Sequence, residues 1–320
     1  MIEGSGIEGQ WQMRQRRRRI GAYGICRDEI GRILLVRSSS HAHLPGAWQI
    51  PGGGVDHGEH PAHALIREFA EETGLTITIE RLAGVRFDLF ELSDRDQLVH
   101  HDRIIYDVRV EGGKLRDEAS GTTDQVRWFT DGELADLTML PWTARLLGAG
   151  IPAPGEITDV ATAVAASEPV APDELVTHVQ RFAAYGLTRD PGGRILLTRI
   201  AAGYPGAGSW HLPGGGIDFG ESAAVGLARE LAEETGQVGA VGELLLIEHF
   251  HNPAAYGPEK RAIDWHTVRS VFRVTVSDPS NPVVHDQGGS TDRAAWFALA
   301  DLQGLNLNKL ARAVVTSYAG

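Results

Sequence analysis

The sequence predicts two tandem α/β domains, each a mixed β-sheet covered by helices. Three observations lead there. The chain has 320 residues, about twice the usual span of one domain. Its first half recurs in its second, at one offset through the central motif. Within each half, strands come in hairpins and runs with helices between and after them, unlike the regular alternation of a doubly wound parallel fold. Arg-Ile-Gly-Ala-Tyr-Gly-Ile at 19–25 returns as Arg-Phe-Ala-Ala-Tyr-Gly-Leu at 181–187, 162 residues later. The same offset carries Trp48 to Trp210, Pro51 to Pro213, Gly53 to Gly215, Glu59 to Glu221 and Arg67 to Arg229. Arg103 then matches Arg269 at an offset of 166, and Trp128-Phe129 matches Trp296-Phe297 at 168, so every length difference falls after the central motif. Repeats of this length are too long for solenoid units, and each should hold its own core.

The elements of each repeat follow in order. A flexible amino tail is expected over 1–14. In the first domain, 15–148, residues 19–27 and 31–37 alternate or run apolar around the turn Asp28-Glu29-Ile30-Gly31. That pattern reads as a hairpin, repeated in the second copy around Asp190-Pro191-Gly192-Gly193. A glycine-rich loop then leads to a helix over 61–73, because Pro61 suits a first helical position and Gly74 the left-handed residue that ends a helix. Its apolar face is expected to be Ala62, Ile66, Phe69 and Ala70. Strands are expected near 76–92 and 103–110, with a last one at 126–129 and closing helices at 139–148 and 307–319. Residues 149–177, with Pro152, Pro154, Pro169 and Pro172 among many alanines, read as a linker to the second domain, 178–320.

Composition narrows the function. With 42% hydrophobic and 22% charged residues and no long apolar run, a membrane span is not expected. The single cysteine, Cys26, forms no internal disulfide and points to a reducing compartment. Arg14 and Arg16 to Arg19 precede an apolar stretch too short for an export signal, so the cytoplasm is the expected location. A net charge of −12 disfavours a general nucleic-acid partner, and a small anionic substrate would need a cation to help it bind.

The informative segment runs from Gly53 to Leu75, with its twin from Gly215 to Gln237. On the expected helix Glu68, Glu71 and Glu72 share an arc of about 100°. Like charges three and four residues apart repel, and anions are disfavoured at a helix carboxyl end, so something positive should compensate. Three converging carboxylates suit Mg2+ or Mn2+, which accept several oxygen ligands and leave room for water and a phosphate. Arg67 suits the task of holding neighbouring carboxylates such as Glu59 or Glu71.

At these residues the sequence resembles the Nudix (MutT-like) hydrolase family, whose signature is Gly, five residues, Glu, seven residues, Arg-Glu, apolar, any, Glu-Glu, any, Gly, apolar. The first copy matches at every defined position. The second has Gly215, Glu221, Arg229, Glu230, Leu231, Glu233, Glu234 and Gly236, but Gln237 where an apolar residue is expected. The resemblance implies an α/β/α sandwich that hydrolyses the diphosphate linkage of a nucleoside diphosphate joined to another group. By position, Glu68, Glu71 and Glu72, with Glu230, Glu233 and Glu234, would hold Mg2+ or Mn2+, and Arg67, Arg229, Glu59 and Glu221 would complete the catalytic set. As possible general bases outside the helix, Glu118 and Asp286 occupy equivalent loop positions, as do Asp124 and Asp292.

Several features admit two readings. Gly53 and Gly54, with Gly215 and Gly216, either bring backbone close to metal and phosphate or simply turn the chain; no Gly-Lys-Ser/Thr follows to make them a P-loop. Trp48 and Trp210 either stack on a base or fill a core position at a strand end. His57, His60 and His63 read as surface histidines. Pro253 sits sixteen residues after Gln237, a spacing similar to that of ADP-ribose pyrophosphatases, within a segment that also reads as an ordinary loop. The two domains are compatible with an intramolecular pseudo-dimer. The main expectation is a metal-dependent pyrophosphohydrolase with a small-molecule nucleotide substrate. The competing one is a nucleotide-sensing regulatory protein with one or both domains catalytically weak. A third, removal of pyrophosphate from RNA 5′ ends, would use the arginine run but fits poorly with the net charge.

Overall fold

Each repeat is organised around one long strand whose two edges take different partners. The computed structural model describes residues 15–92, 96–148, 177–256, 261–285 and 288–319. The expected tail at 1–14, the linker at 149–177 apart from Thr177, and Asp286 lie outside the described residues. The first unit contains β1 (Gln15–Cys26), β2 (Ile33–Ser38), β3 (Trp48–Gln49), β4 (Gly52–Gly54), α1 (Pro61–Thr73), β5 (Leu75–Leu92), β6 (Gln97–Gly113), β7 (Thr123–Phe129), α2 (Asp131–Leu134) and α3 (Pro141–Leu147). The second contains β8 (Thr177–Arg189), β9 (Ile195–Ile200), β10 (Trp210–His211), β11 (Gly214–Gly216), α4 (Ala223–Thr235), β12 (Ala240–Tyr256), β13 (Ala262–Thr275), β14 (Thr291–Phe297), a 3-10 turn at Leu299–Gly304 and α5 (Lys309–Tyr318). The division between the two units falls between Val176 and Thr177.

In the first unit the main sheet has the order β4-β1-β6-β5, and a second sheet has the order β3-β2-β7. β1 and β6 are parallel, from Gln15 opposite Gln97 to Cys26 opposite Val108, while β4 and β5 join antiparallel. The sheet is therefore mixed, as expected. The second unit repeats this arrangement, with β8 parallel to β13 and its strands joined in one sheet. No described helix is long and apolar enough to cross a membrane.

The expected hairpin at the start of each copy is reduced to its tip. β1 and β2 meet only at the Arg27–Ile33 bridge, and β8 pairs with β9 only at Thr188–Leu196 and Arg189–Ile195. The cause is non-local. The remaining edge of β1 is taken by the glycines of β4, Gly21 to Gly54 and Tyr23 to Gly52, so β2 turns away to pair with β7. The glycine-rich loop is thus partly a strand. Gly52 must be glycine here: its φ is 131°, and a Cβ would stand 2.2 Å from the Ala22 carbonyl oxygen. Gly214 repeats both values against Ala184.

Helix α1 starts at Pro61 and ends before Gly74, whose φ of 71° is left-handed, as the punctuation predicts. The amino end is capped by His60, whose Nδ1 accepts from the Ala62 amide at 3.1 Å. Ser222 takes this position in the second unit, accepting from Val225. The buried face differs from the expected one. Ile66 and Ala70 are exposed and Ala62 is half-buried, whereas Pro61, Ala64, Leu65, Phe69, Glu72 and Thr73 are buried. Burial of Leu65 and Phe69 contributes roughly 2 kcal/mol each. A ranking by apolarity alone misplaces the face because a glutamate occupies part of it.

The closing helices begin two residues later than expected. Met139 and Leu307 bridge to Trp48 and Trp210, and the amides of Leu140 and Asn308 donate to the carbonyls of those tryptophans, which holds these residues extended. Pro253 lies within β12 beside a register shift between Asn252 and Ala255, so the expected loop is a bulged strand. The departure at Gln237 is accommodated in place. Its buried amide donates to the Ser280 hydroxyl at 2.8 Å and accepts from the Ser280 amide at 3.0 Å.

The close approach of β4 to β1 makes a stability prediction. Gly52→Ala combines an unfavourable φ with a backbone clash and should destabilise the first unit by about 3 kcal/mol. A urea unfolding midpoint equal to that of wild type would show that β4 does not need this approach.

Candidate active site

The most constrained side chain of the acidic cluster is also the least exposed. Glu72 is 3% accessible and lies on the helix surface between Glu68 and Leu65, inside the face that packs against the sheet. The Gly52 amide donates to its Oε2 at 2.9 Å. Burial pushes the Glu72 carboxyl well above the ordinary glutamate range; the Gly52 hydrogen bond opposes this, and the charges of Glu68, Glu118 and Glu71 add to it. Glu234 is the twin, also buried, accepting from Gly214 at 2.9 Å and from the Thr291 hydroxyl.

Arg67 holds the rest of the cluster. Its Nε and Nη2 grip both oxygens of Glu59 at 3.1 and 2.9 Å, Nη1 reaches Glu68 at 2.8 Å and Glu71 at 3.5 Å, and Nη2 also donates to the Gly54 carbonyl at 3.0 Å. Burial raises the Glu59 pKa, but the hydrogen bonds and charge of Arg67 outweigh it, so the net shift is downward. Glu68 shifts upward through burial, partly offset by Arg67. The guanidinium itself is held more firmly protonated, chiefly by Glu59. Arg229 repeats every contact, with Glu221, Glu230, Glu233 and the Gly216 carbonyl at 3.0 to 3.1 Å. Glu230 shifts upward for the same reason as Glu68.

The glycines bring β4 against the helix. A Cβ on Gly53 would stand 2.5 Å from Glu68 Oε2, and one on Gly215 would stand 2.8 Å from Glu230 Oε2. Gly54 and Gly216 lend carbonyls to the arginines.

The other sequence-predicted residues divide. Glu118 comes near the cluster: its charge is felt at Glu72, and it is held by the hydroxyl and amide of Thr123 at 2.8 and 3.2 Å. Asp124 and Asp292 do not join it; they form ion pairs with Arg37 and Arg199, both at 2.8 Å. Trp48 and Trp210 are corrections to the base-stacking expectation. Both are buried, edge-on to Phe129 and Phe297 at 4.7 and 4.8 Å between ring centroids, among the aliphatic residues of each core.

Sequence reasoning missed the basic and phenolic residues beside the cluster. Arg19, the last of the arginine run, lies beside Gly54, and Arg181 beside Gly216. Tyr23 is buried and Tyr185 half-buried, within reach of the charges of Glu72 and of Glu230 and Glu234 respectively. All four belong to the segments at 19–25 and 181–187 whose repetition revealed the two domains.

The donor set suits a hard divalent cation. It offers carboxylate oxygens from three glutamates in each domain, one of them, Glu72 or Glu234, buried against the sheet. The three carboxylates of a domain do not bring one oxygen each within 4.8 Å of the others, as like charges stand when only an arginine holds them from the side.

Comparisons with known proteins show the family. The NUDIX domain matches residues 15–148 and 179–318. A MutT-like protein of Streptomyces ambofaciens is 27% identical over 41% of this chain and 75% of its own length. An ADP-ribose pyrophosphatase of Methanocaldococcus jannaschii is 33% identical over 34% of this chain and 57% of its own, so the chain spans little more than half of that relative. Among solved structures, the MutT protein from Methanosarcina mazei is 27% identical, with a TM-score of 0.34 over 41% of this chain and 91% of that one. With the family domain found twice and covering most of its length, this chain belongs to the Nudix hydrolases.

Proposed function

We propose that both domains hydrolyse the diphosphate linkage of nucleoside diphosphate substrates, such as nucleoside triphosphates or ADP-ribose-like compounds, by attack of water on phosphorus with Mg2+ or Mn2+. The observation that carries this reading is the buried glutamate kept in both domains, Glu72 and Glu234, each fastened to a glycine amide. Glu68, Glu71 and Glu72 would hold the cation in one domain and Glu230, Glu233 and Glu234 in the other. When bound, the cation neutralises the diphosphate, polarises the reacting phosphorus and lowers the pKa of the attacking water. Arg67 and Arg229 position the carboxylates from the side. Gly53, Gly54, Gly215 and Gly216 leave the floor of the site without side chains, so a phosphate can approach the backbone. Glu118 is the loop carboxylate best supported as proton acceptor in the first domain, because Asp124 is engaged with Arg37.

Two predictions follow from these residues. Glu72→Gln and Glu234→Gln should each lower turnover in their own domain by at least about a hundredfold, read as phosphate release from a panel of nucleoside triphosphates, ADP-ribose, NADH and nucleotide sugars with magnesium or manganese. Metal-dependent turnover surviving in the double variant would sink the mechanism.

The second concerns pH. The folded pKa of Glu72 is raised above its unfolded value, so its contribution is fully favourable below the unfolded pKa and is lost as pH rises through the folded one. In chelator, Glu72→Gln should therefore stabilise the first domain at pH 7 by about 1–2 kcal/mol, and the gain should vanish toward pH 4. Magnesium should stabilise wild type more than the variant. Denaturant titrations at both pH values, with and without magnesium, check this; equal stability of the two proteins in chelator at pH 7 counts against the buried charge.

A further inference from the structure

The two domains share the acidic box but differ beside the matched arginines Arg103 and Arg269. In the first domain Arg103 is 5% exposed and all its nitrogens are engaged. Nε donates to Asp88 Oδ1 at 2.6 Å, Nη2 to Asp88 Oδ2 at 3.3 Å, and Nη1 to the Tyr23 hydroxyl at 2.8 Å. Trp142, on α3, covers it: the guanidinium carbon lies 4.3 Å from the indole centroid, and the indole also packs on the Tyr23 ring at 4.7 Å. Trp142 is itself 7% exposed.

Strand register and helix start identify the second domain's counterparts. Asp88 faces His101, two residues before Arg103, and Phe250 faces Thr267, two residues before Arg269. Phe250 therefore stands in the place of Asp88. α3 begins at Pro141 and α5 at Lys309, each after the residue whose amide donates to the tryptophan carbonyl, so Leu310 stands in the place of Trp142. The consequence is space. A cleft of about 480 Å³ opens there, lined by Glu248, Phe250, Arg269, Asn308 and Lys309 among others, a volume within the usual range for a small ligand. Arg269 has lost its bidentate carboxylate and keeps Glu248 at 3.4 Å. Its buried Nε has no acceptor among the described residues. Phe250, 42% exposed, presents its ring 4.8 Å from the guanidinium carbon. Arg269 pairs with Ala183, which on its other edge pairs with Gly216 of β11, and half-buried Tyr185 lies within electrostatic reach of Arg269, Glu230 and Glu234, which sets the cleft beside the acidic cluster.

We infer that this cleft receives the nucleoside of the second domain's substrate, and that Trp142 closes the first domain to a nucleoside at the equivalent place. A guanidinium plane and an aromatic ring both stack on nucleobases, and Arg269 and Phe250 supply both. In the first domain an indole, close to a purine in shape, already lies on the matching arginine. The inference rests on the reading that the box takes the diphosphate, and it makes the two domains unequal: the second selects nucleoside diphosphate compounds through the base, and the first acts on substrates whose recognition does not use that wall.

The test is calorimetric titration of the full chain with ADP, GDP, CDP and UDP in magnesium. The expected result is one tight site per chain, at which ADP or GDP is bound more tightly than CDP or UDP. Leu310→Trp, which restores the first domain's plug, and Phe250→Asp, which restores its carboxylate, should each weaken that site at least about tenfold. Phe250 is on an exposed edge strand, so its variant reads the cleft even if Leu310→Trp fails to fold, which circular dichroism checks. Two equal sites in wild type, no site for any of the four, or a Phe250→Asp variant that binds like wild type would overturn the inference. Single-site binding without phosphate release from any substrate would instead defeat the hydrolytic reading and leave this one standing.

Discussion

A carboxylate buried in the packed face of a helix is the constraint on which the rest of each domain depends. Taking an ion out of water costs several kcal/mol even after the protein relaxes, and Glu72 lies near the carboxyl end of α1, where the helix dipole disfavours an anion. One amide, Gly52 N–H, meets that charge directly. To deliver it, β4 must approach the helix on one side and β1 on the other. A Cβ at Gly52 would strike the Ala22 carbonyl and one at Gly53 the Glu68 carboxylate. The glycines, the early divergence of β1 from β2 and the position of the helix on the sheet all follow from that single approach.

The arginine of the box solves a second problem with the same parts. Four carboxylates gathered near one helix face repel one another, and a flexible ammonium could satisfy one or two of them. The planar fork of Arg67 spans Glu59, Glu68 and Glu71 and still reaches the Gly54 carbonyl, which a lysine has neither the donors nor the geometry to do. It ties the turn at Asp56 to Glu59 onto the helix, since Glu59 also accepts from the Asp56 amide. Local folding and the arrangement of the acidic cluster are therefore one set of contacts.

What the sequence made legible was punctuation and spacing. Pro61 and Gly74 bound the helix, and the repeated offset identified two domains and the acidic positions in each. Two kinds of feature were hidden. Burial of Glu72 was hidden because helical periodicity assigns the inside to apolar residues, while here Ile66 and Ala70 face out and a glutamate faces in. The fate of the first hairpin was hidden because it depends on β4, which competes for the edge of β1 from thirty residues away. Trp48 admitted two readings from its sequence position, and its contact with Phe129 on a different strand decides for the core. Arg103 and Tyr23 stood in view as aligned residues, yet their partnership with Asp88 and Trp142 joins three strands and a helix that no spacing rule connects.

The pairing of constant chemistry with variable surroundings has a physical cause. Each box residue has two tasks, since removing it would leave a buried donor or a charge without its partner as well as altering the site. The residues around Arg103 and Arg269 have one task each, so Asp88 can become Phe250 and Trp142 can become Leu310 while both cores close. The same freedom extends to the end of the box, where buried Gln237 is met by Ser280. It does not extend to Glu72 or Glu234. A well-packed apolar residue in place of a buried charge is often neutral or stabilising, so a domain that no longer needed the carboxylate would have an easy route to greater stability. Both domains retain the charge together with the glycine amide that makes it tolerable, the arrangement expected if each still puts that carboxylate to chemical use.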